Sequence, residues 1–148
     1  MILVSACLVG RPCRYDGRGA LSPELVSDLA GRPWLAVCPE QLGGLATPRT
    51  PARLKGGDGE EVLSGRARVV DTAGQDVTGA FIHGAEAVLD LAVRLKVEIC
   101  YLKDRSPSCG LTVSSGESGP VKGPGVLAAL LIRSGFKVVE VKARGTDW

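Results

Sequence analysis

Aromatic side chains are scarce, at 4% of the 148 residues, so the core must be packed with Val, Leu, Ile and Ala. No apolar run reaches the roughly 20 residues that a membrane-spanning helix needs, which excludes that class. The net charge is only +2 and no basic run stands out, so nothing argues for nucleic acid as a partner. Residues 1–4 are apolar, but a basic leader is missing and the run soon meets Gly10 and Arg11. An export signal is therefore not expected, and the cytosol is the expected location. No two cysteines form a CxxC pair, so a zinc ribbon or a thioredoxin-type site has no support. Repeats, linkers and low-complexity segments are also missing, and residues 1–148 are expected to form one domain.

What is present is a globular composition, 45% apolar and 23% charged. Apolar runs at 2–5 and 34–37 read as buried strands, and 97–102 and 136–141 read as two further strands. Helices are expected at 22–30, 78–95 and 126–133. In the first, Ser22 suits the N-cap, Pro23 the first turn and Gly31 the C′ position, with Leu25, Val26 and Leu29 on the apolar face. The second carries Phe81, Ala85, Val88, Leu89, Ala92 and Leu95 at helical spacing, with Asp76 or Thr78 as cap. Residues 50–66 are rich in Gly, Pro and charge, and predict a short antiparallel pair, 52–55 against 67–70, as a surface arm or a flap. Residues 113–117 look irregular with a short strand at their start, and 142–148 read as a tail. Alternation of strand and helix predicts an α/β fold with a mainly parallel, Rossmann-like sheet, helices on both faces and a small antiparallel arm.

Five cysteines, an odd count, do not suggest a disulfide framework. Cys100 lies inside an apolar strand and reads as a small buried hydrophobe. Cys7, Cys38 and Cys109 each closely follow an expected strand, at the end where open α/β sheets build sites. Thiolates gathered from three strand ends can ligate an iron–sulfur cluster. Zinc is the competing metal and would want a fourth ligand. His83, the only histidine, falls on the wet side of its helix and is a poor candidate. From the residues alone, inert burial, a metal or cluster site, and a catalytic thiol all stay open. Pro39 stops the strand before it and leaves the Cys38 thiol and the Glu40 carboxylate at its end. Gly123-Pro124-Gly125 reads as a tight turn before a helix rather than a phosphate loop.

Three stretches carry a family resemblance: Ser5-Ala6-Cys7-Leu8-Val9-Gly10 with Cys13-Arg14-Tyr15-Asp16-Gly17; Val37-Cys38-Pro39-Glu40 with Gly43-Gly44-Leu45 and Pro48-Arg49; and Ser106-Pro107-Ser108-Cys109-Gly110. Asp76-Val77-Thr78 with Phe81, and Gly123-Pro124-Gly125-Val126, fit as well. Together, from residue 2 to about 141, they resemble a bacterial family long known only as a domain of unknown function, which includes the thiouracil desulfidases. The resemblance implies a [4Fe–4S] cluster held by Cys7, Cys38 and Cys109, with one iron open. It implies removal of sulfur, as sulfide, from a thiolated base such as 2-thiouracil, without net redox change. In such a reaction Glu40 is the first candidate for acid/base work. Ser106 and Ser108 are candidates to orient substrate or relay a proton. Tyr15, Asp16 and Arg49 are candidates to line the substrate pocket. Cys13 takes no ligand role from the resemblance. The competing reading is a non-catalytic iron–sulfur or metal-binding module that handles sulfur or senses redox state. Such a module has less use for Glu40.

Overall fold

The computed structural model describes residues 1–143. Its strands are β1 (Ile2–Ser5), β2 (Trp34–Val37), β3 (Ala52–Lys55), β4 (Arg68–Asp71), β5 (Ile99–Lys103), β6 (Val113–Gly116), β7 (Gly119–Lys122) and β8 (Lys137–Val141). Its helices are α1 (Pro23–Leu29), α2 (Pro39–Leu42), α3 (Gly59–Leu63), α4 (Thr78–Arg94) and α5 (Val126–Arg133). The four strands expected from the sequence pair as one parallel sheet in the order β2-β1-β5-β8. Helices cover both faces, as a parallel sheet requires. Leu3 of β1 packs in the cluster of Phe81, Val88 and Leu127 on one face. Its neighbours Ile2 and Val4 pack with Leu25 and Leu29 on the other.

The helix signals act as expected. Ser22 Oγ accepts the Leu25 N–H at 3.3 Å, Pro23 opens α1, and Gly31 lies at φ 76° just past its end. Asp76 Oδ1 accepts the Thr78 N–H at 2.9 Å at the start of α4. Three expectations about burial need correction. β2 is an edge strand, with Trp34 43% exposed, because only β1 pairs with it. Val26 and Leu95 are exposed rather than core residues. Leu95 is the C-cap residue of α4, just past the last helical turn.

The segment read as an arm is part of a second sheet, ordered β4-β3-β6-β7. β3 and β4 pair antiparallel, as expected within one residue. β6 and β7 form a hairpin, and Leu54 opposite Gly116 joins the two halves. This sheet is not peripheral, because Leu54 and Val69 enter the same core as Leu3 and Phe81. Helix α3, within the stretch 50–66 rich in Gly, Pro and charge, is capped by Asp58, whose Oδ1 accepts the Glu61 N–H at 3.1 Å. No helix among the described residues is long and apolar enough to cross a membrane. Of the expected tail, 142–148, residues 144–148 lie outside the described residues, and the Ala143 N–H donates to Asp104 Oδ1 at 3.3 Å.

Candidate functional site

Parallel register gathers the thiols. Ser5, the last residue of β1, stands opposite Val37, the last of β2. The amide of Lys103, the last residue of β5, donates to Ser5 Oγ at 3.1 Å. Three chain exits therefore leave one sheet edge side by side. Cys7 follows in a single 3-10 turn, Ala6–Val9. Cys38 is the N-cap of α2, and Cys109 lies in the loop after β5. All three line one cavity, together with Glu40, Lys103 and Ser108.

Each loop is held by contacts its sequence makes possible. Pro39 begins α2 rather than merely ending β2, since a missing N–H costs nothing in a helix's first turn. Helix α2 lies against α4 so closely that a Cβ on Gly84 would stand 1.9 Å from the Pro39 carbonyl oxygen. A Cβ on Gly43 would stand 2.1 Å from the Ala80 carbonyl oxygen. Around Cys109, Ser106 Oγ accepts the N–H groups of Ser108 and Cys109, each at 3.1 Å. The first amides of α5 take over from there: Val126 donates to the Pro107 carbonyl at 2.9 Å and Ala128 to that of Ser108 at 3.1 Å. Gly123-Pro124-Gly125 is the docking turn for this contact. A Cβ on Gly125 would stand 2.5 Å from the Pro107 carbonyl oxygen.

The charges converge as well. Glu40 is buried and forms an ion pair with Arg49. Arg49 also donates to the Cys13 carbonyl at 3.0 Å and, through its own amide, to the Tyr15 carbonyl at 2.8 Å. The loop 46–49 is thereby tied to the two loops that carry Cys7 and Cys38. Lys103 is 2% exposed, and its Nζ lies 3.8 Å from Asp104 Oδ1 and donates to the Asp104 carbonyl at 3.0 Å. Burial pulls its ammonium down to about 8, against the pull of Asp104 and of the Cys7 and Cys109 thiols. Arg14 is buried in the same wall. The Cys109 thiol is pushed up to about 12, first by its burial, while hydrogen bonds from Ser5 and Ser106 oppose the rise.

Four thiols, not three, reach the cavity. Cys13 lies within hydrogen-bonding reach of both Cys7 and Cys38. The Cys38 contact lowers its thiol pKa, but the Cys7 contact and burial outweigh it and push the thiol up to about 12. The Cys38 thiol is also raised, chiefly by its contact with Cys13 and then by burial. Cys100 stands apart in the core among the residues under α4 and α5, and burial raises it to about 11.

Among the described residues, no three of these groups stand in the geometry of a single metal ion. Thiols on a cavity wall are the donor set that an iron–sulfur cluster takes. The hydroxyl of Ser108, buried on that wall, has no hydrogen-bond partner among the described residues. An occupant bearing acceptor atoms would satisfy it.

A family model for 2-thiouracil desulfurase matches residues 2–142. The chain belongs to the 2-thiouracil desulfurase family. Within this family likeness, it is similar to the uncharacterized protein YbbK of Bacillus subtilis (strain 168), at 42% identity over 142 residues and 94% of either chain. A solved structure of the [4Fe–4S]-dependent thiouracil desulfidase TudS superposes with a TM-score of 0.80 at 40% identity, over 94% of this chain and 89% of that one. The α/β fold with its mainly parallel sheet is that of this neighbour.

Of the site residues expected for a family member, the structure brings Cys7, Cys38, Cys109, Glu40, Arg49, Ser106 and Ser108 to one cavity. Tyr15 lines an adjoining cavity that shares Glu40 and Arg49. Asp16 lines neither; its Oδ1 accepts the Arg18 N–H at 3.0 Å in a turn. His83 is exposed on α4. Sequence reasoning missed Ser5, Arg14 and Lys103. The available signal for Lys103 was a cation closing an otherwise apolar strand beside a cysteine-bearing loop.

Proposed function

We propose that this chain replaces sulfur by oxygen in a thiolated nucleobase such as 2-thiouracil, or in a related small thio-heterocycle, with a [4Fe–4S] cluster held by Cys7, Cys38 and Cys109. The observation that carries this reading is the meeting of three strand-end thiols and one buried carboxylate on a single cavity wall. Membership of the desulfurase family and the likeness to TudS support it. A cluster held by three cysteines keeps one iron without a protein ligand, and so supplies a soft Lewis acid for the substrate's sulfur.

The chain's own residues do the rest. Glu40 takes a proton from the water that attacks the thiocarbonyl carbon. The carbon–sulfur bond then breaks, sulfur leaves as hydrosulfide and the carbon keeps oxygen, so water is consumed and no electrons are exchanged. Arg49 fixes the Glu40 carboxylate in place. Ser108 has a hydroxyl available toward the reacting sulfur, whereas Ser106 spends its oxygen on the Cys109 loop and acts as a positioning residue. Lys103 and Arg14 supply positive charge to a wall that three thiolates make negative.

Anaerobic reconstitution with iron and sulfide tests the reading. We expect a brown protein with about four irons per chain that converts 2-thiouracil to uracil and sulfide. A folded, reconstituted protein that binds no iron overturns it.

A further inference from the structure

Cys13 is the one thiol on the cavity wall to which the desulfidase reading gives no task. It is buried, so it is not a spare surface thiol. Its backbone is fixed from two sides. The Cys13 N–H donates to the Arg11 carbonyl at 2.9 Å, and the Cys13 carbonyl accepts Arg49 Nη2 at 3.0 Å. Cys38 Sγ lies 3.7 Å from the same carbonyl. The Cys13 side chain is thereby held beside two of the three proposed ligands, within hydrogen-bonding reach of both Cys7 and Cys38.

A thiolate that binds iron keeps lone pairs, and burial leaves them without water. Hydrogen bonds to ligand sulfurs offset that loss and tune the metal. The Cys109 sulfur has the Ser5 and Ser106 hydroxyls in reach. The Cys38 sulfur has the backbone amide of Gln41, in the first turn of α2. Cys7 lies in the 3-10 turn Ala6–Val9, whose N-cap Ser5 makes no side-chain cap bond, and Cys13 is the thiol that reaches it.

Ligation fixes the direction of that bond. A cysteine holds metal as a thiolate, so neither Cys7 nor Cys38 has a proton to give once it acts as a ligand. Cys13 then carries the one S–H in this row of three sulfurs, and an S–H is a donor.

We infer that Cys13 is a positioning residue that stays a protonated thiol in the loaded protein and donates its S–H to the Cys7 sulfur, rather than binding iron itself. The inference rests on the desulfidase reading and goes beyond it. A fourth thiolate ligand would take the iron that the substrate's sulfur needs, whereas an S–H donor draws charge from a ligand sulfur and leaves that iron open.

Infrared spectroscopy reads the proton directly. Of the five cysteines, three would be ligated, so in cluster-loaded Cys100→Ala protein Cys13 is the one left with a proton. We expect a single S–H band there, at lower frequency than that of an unbonded thiol, and no band once Cys13→Ser is added. Three single variants separate donation from packing. Cys13→Ser keeps a donor, Cys13→Val keeps apolar bulk, and Cys13→Ala adds no atom that could disturb folding. All three should hold the wild-type iron content. Cys13→Ser should keep the wild-type reduction potential or raise it. Cys13→Val and Cys13→Ala should lower the potential and lose iron to a chelator about threefold faster, as expected for one weak hydrogen bond. The reverse order, with Cys13→Val like the wild type and Cys13→Ser impaired, marks a packing role and overturns the inference. So does a loaded Cys100→Ala protein without an S–H band, or loss of iron from both Cys13→Ala and Cys13→Ser; either leaves the cluster reading standing. A wild-type protein that takes up no iron overturns the cluster reading and this inference with it.

Discussion

Replacing Gly84 by alanine moves the helix that carries Cys38 and Glu40. The new Cβ would stand 1.9 Å from the Pro39 carbonyl oxygen, 2.9 Å from its carbon and 3.1 Å from the Gly43 nitrogen. A carbon and a carbonyl oxygen approach to roughly 3.3 Å, so α2 must retreat by more than about 1 Å. The obstacle is backbone on both sides, with no flexible side chain to swing away. Overpacking of this kind costs about 1–3 kcal/mol, which for a chain of this size lowers Tm by roughly 2–12 °C. Displacement of a reacting group by about 1 Å costs on the order of a hundredfold in rate. Gly79, in the first turn of the same helix, is the internal control, because a Cβ there meets nothing within 4 Å. Gly79→Ala should gain about 0.5–1 kcal/mol from reduced chain freedom and keep full turnover. Both variants would be followed by thermal unfolding and by sulfide release from 2-thiouracil. A Gly84→Ala protein with wild-type Tm and turnover would refute the tight α2–α4 crossing as the device that places Cys38 and Glu40.

Other outcomes follow from the same geometry. Cys109→Ala should abolish iron uptake, read by colorimetric iron assay, whereas Cys100→Ala should keep it and lose only about 1 kcal/mol of stability for one buried atom. Glu40→Gln should load the cluster normally yet lose most turnover; unchanged turnover would remove Glu40 from the mechanism. Lys103→Met tests the buried cation through stability. The Lys103 ammonium falls from 10.5 to about 8 on folding. Below pH 8 it is charged in both states, and its burial penalty, about 3 kcal/mol, is fully present. Between pH 8 and 10.5 the unfolded chain binds the extra proton, so folding stability rises with pH, and above 10.5 the penalty is gone. Cluster-free Lys103→Met should therefore be more stable than wild type by about 3 kcal/mol at pH 7, with the gain shrinking toward pH 10.5. Urea unfolding at the two pH values measures this, and a pH-independent difference would contradict it.

The parallel sheet was legible because its strands are rich in Val, Ile and Leu and because α1 carries its own punctuation in Ser22, Pro23 and Gly31. The second sheet was not. Ser114, Ser115, Gly116, Gly119 and Pro120 have little strand character, and they pair because a partner some 60 residues earlier, around Leu54, is brought to them. Helix α3 hid behind three glycines, although Asp58 followed by Glu60 and Glu61 is a fair start signal. Edge position is equally invisible in sequence, so Trp34 was read as buried. At the site, motifs shared with a known family pointed to the thiols, Glu40 and Ser108. Lys103 and Arg14 were missed because a charged residue looks the same in sequence whether it is solvated or sunk into a wall.

The docking of α5 on the Cys109 loop sets an order of assembly. During synthesis, Cys7, Cys38 and Cys109 all emerge well before Val126 and Ala128, whose amides hold the carbonyls of Pro107 and Ser108. A nascent chain therefore carries every thiol of the site before it can arrange them. Under the proposed cluster reading, insertion becomes a late event, reserved for chains that have already folded through to α5.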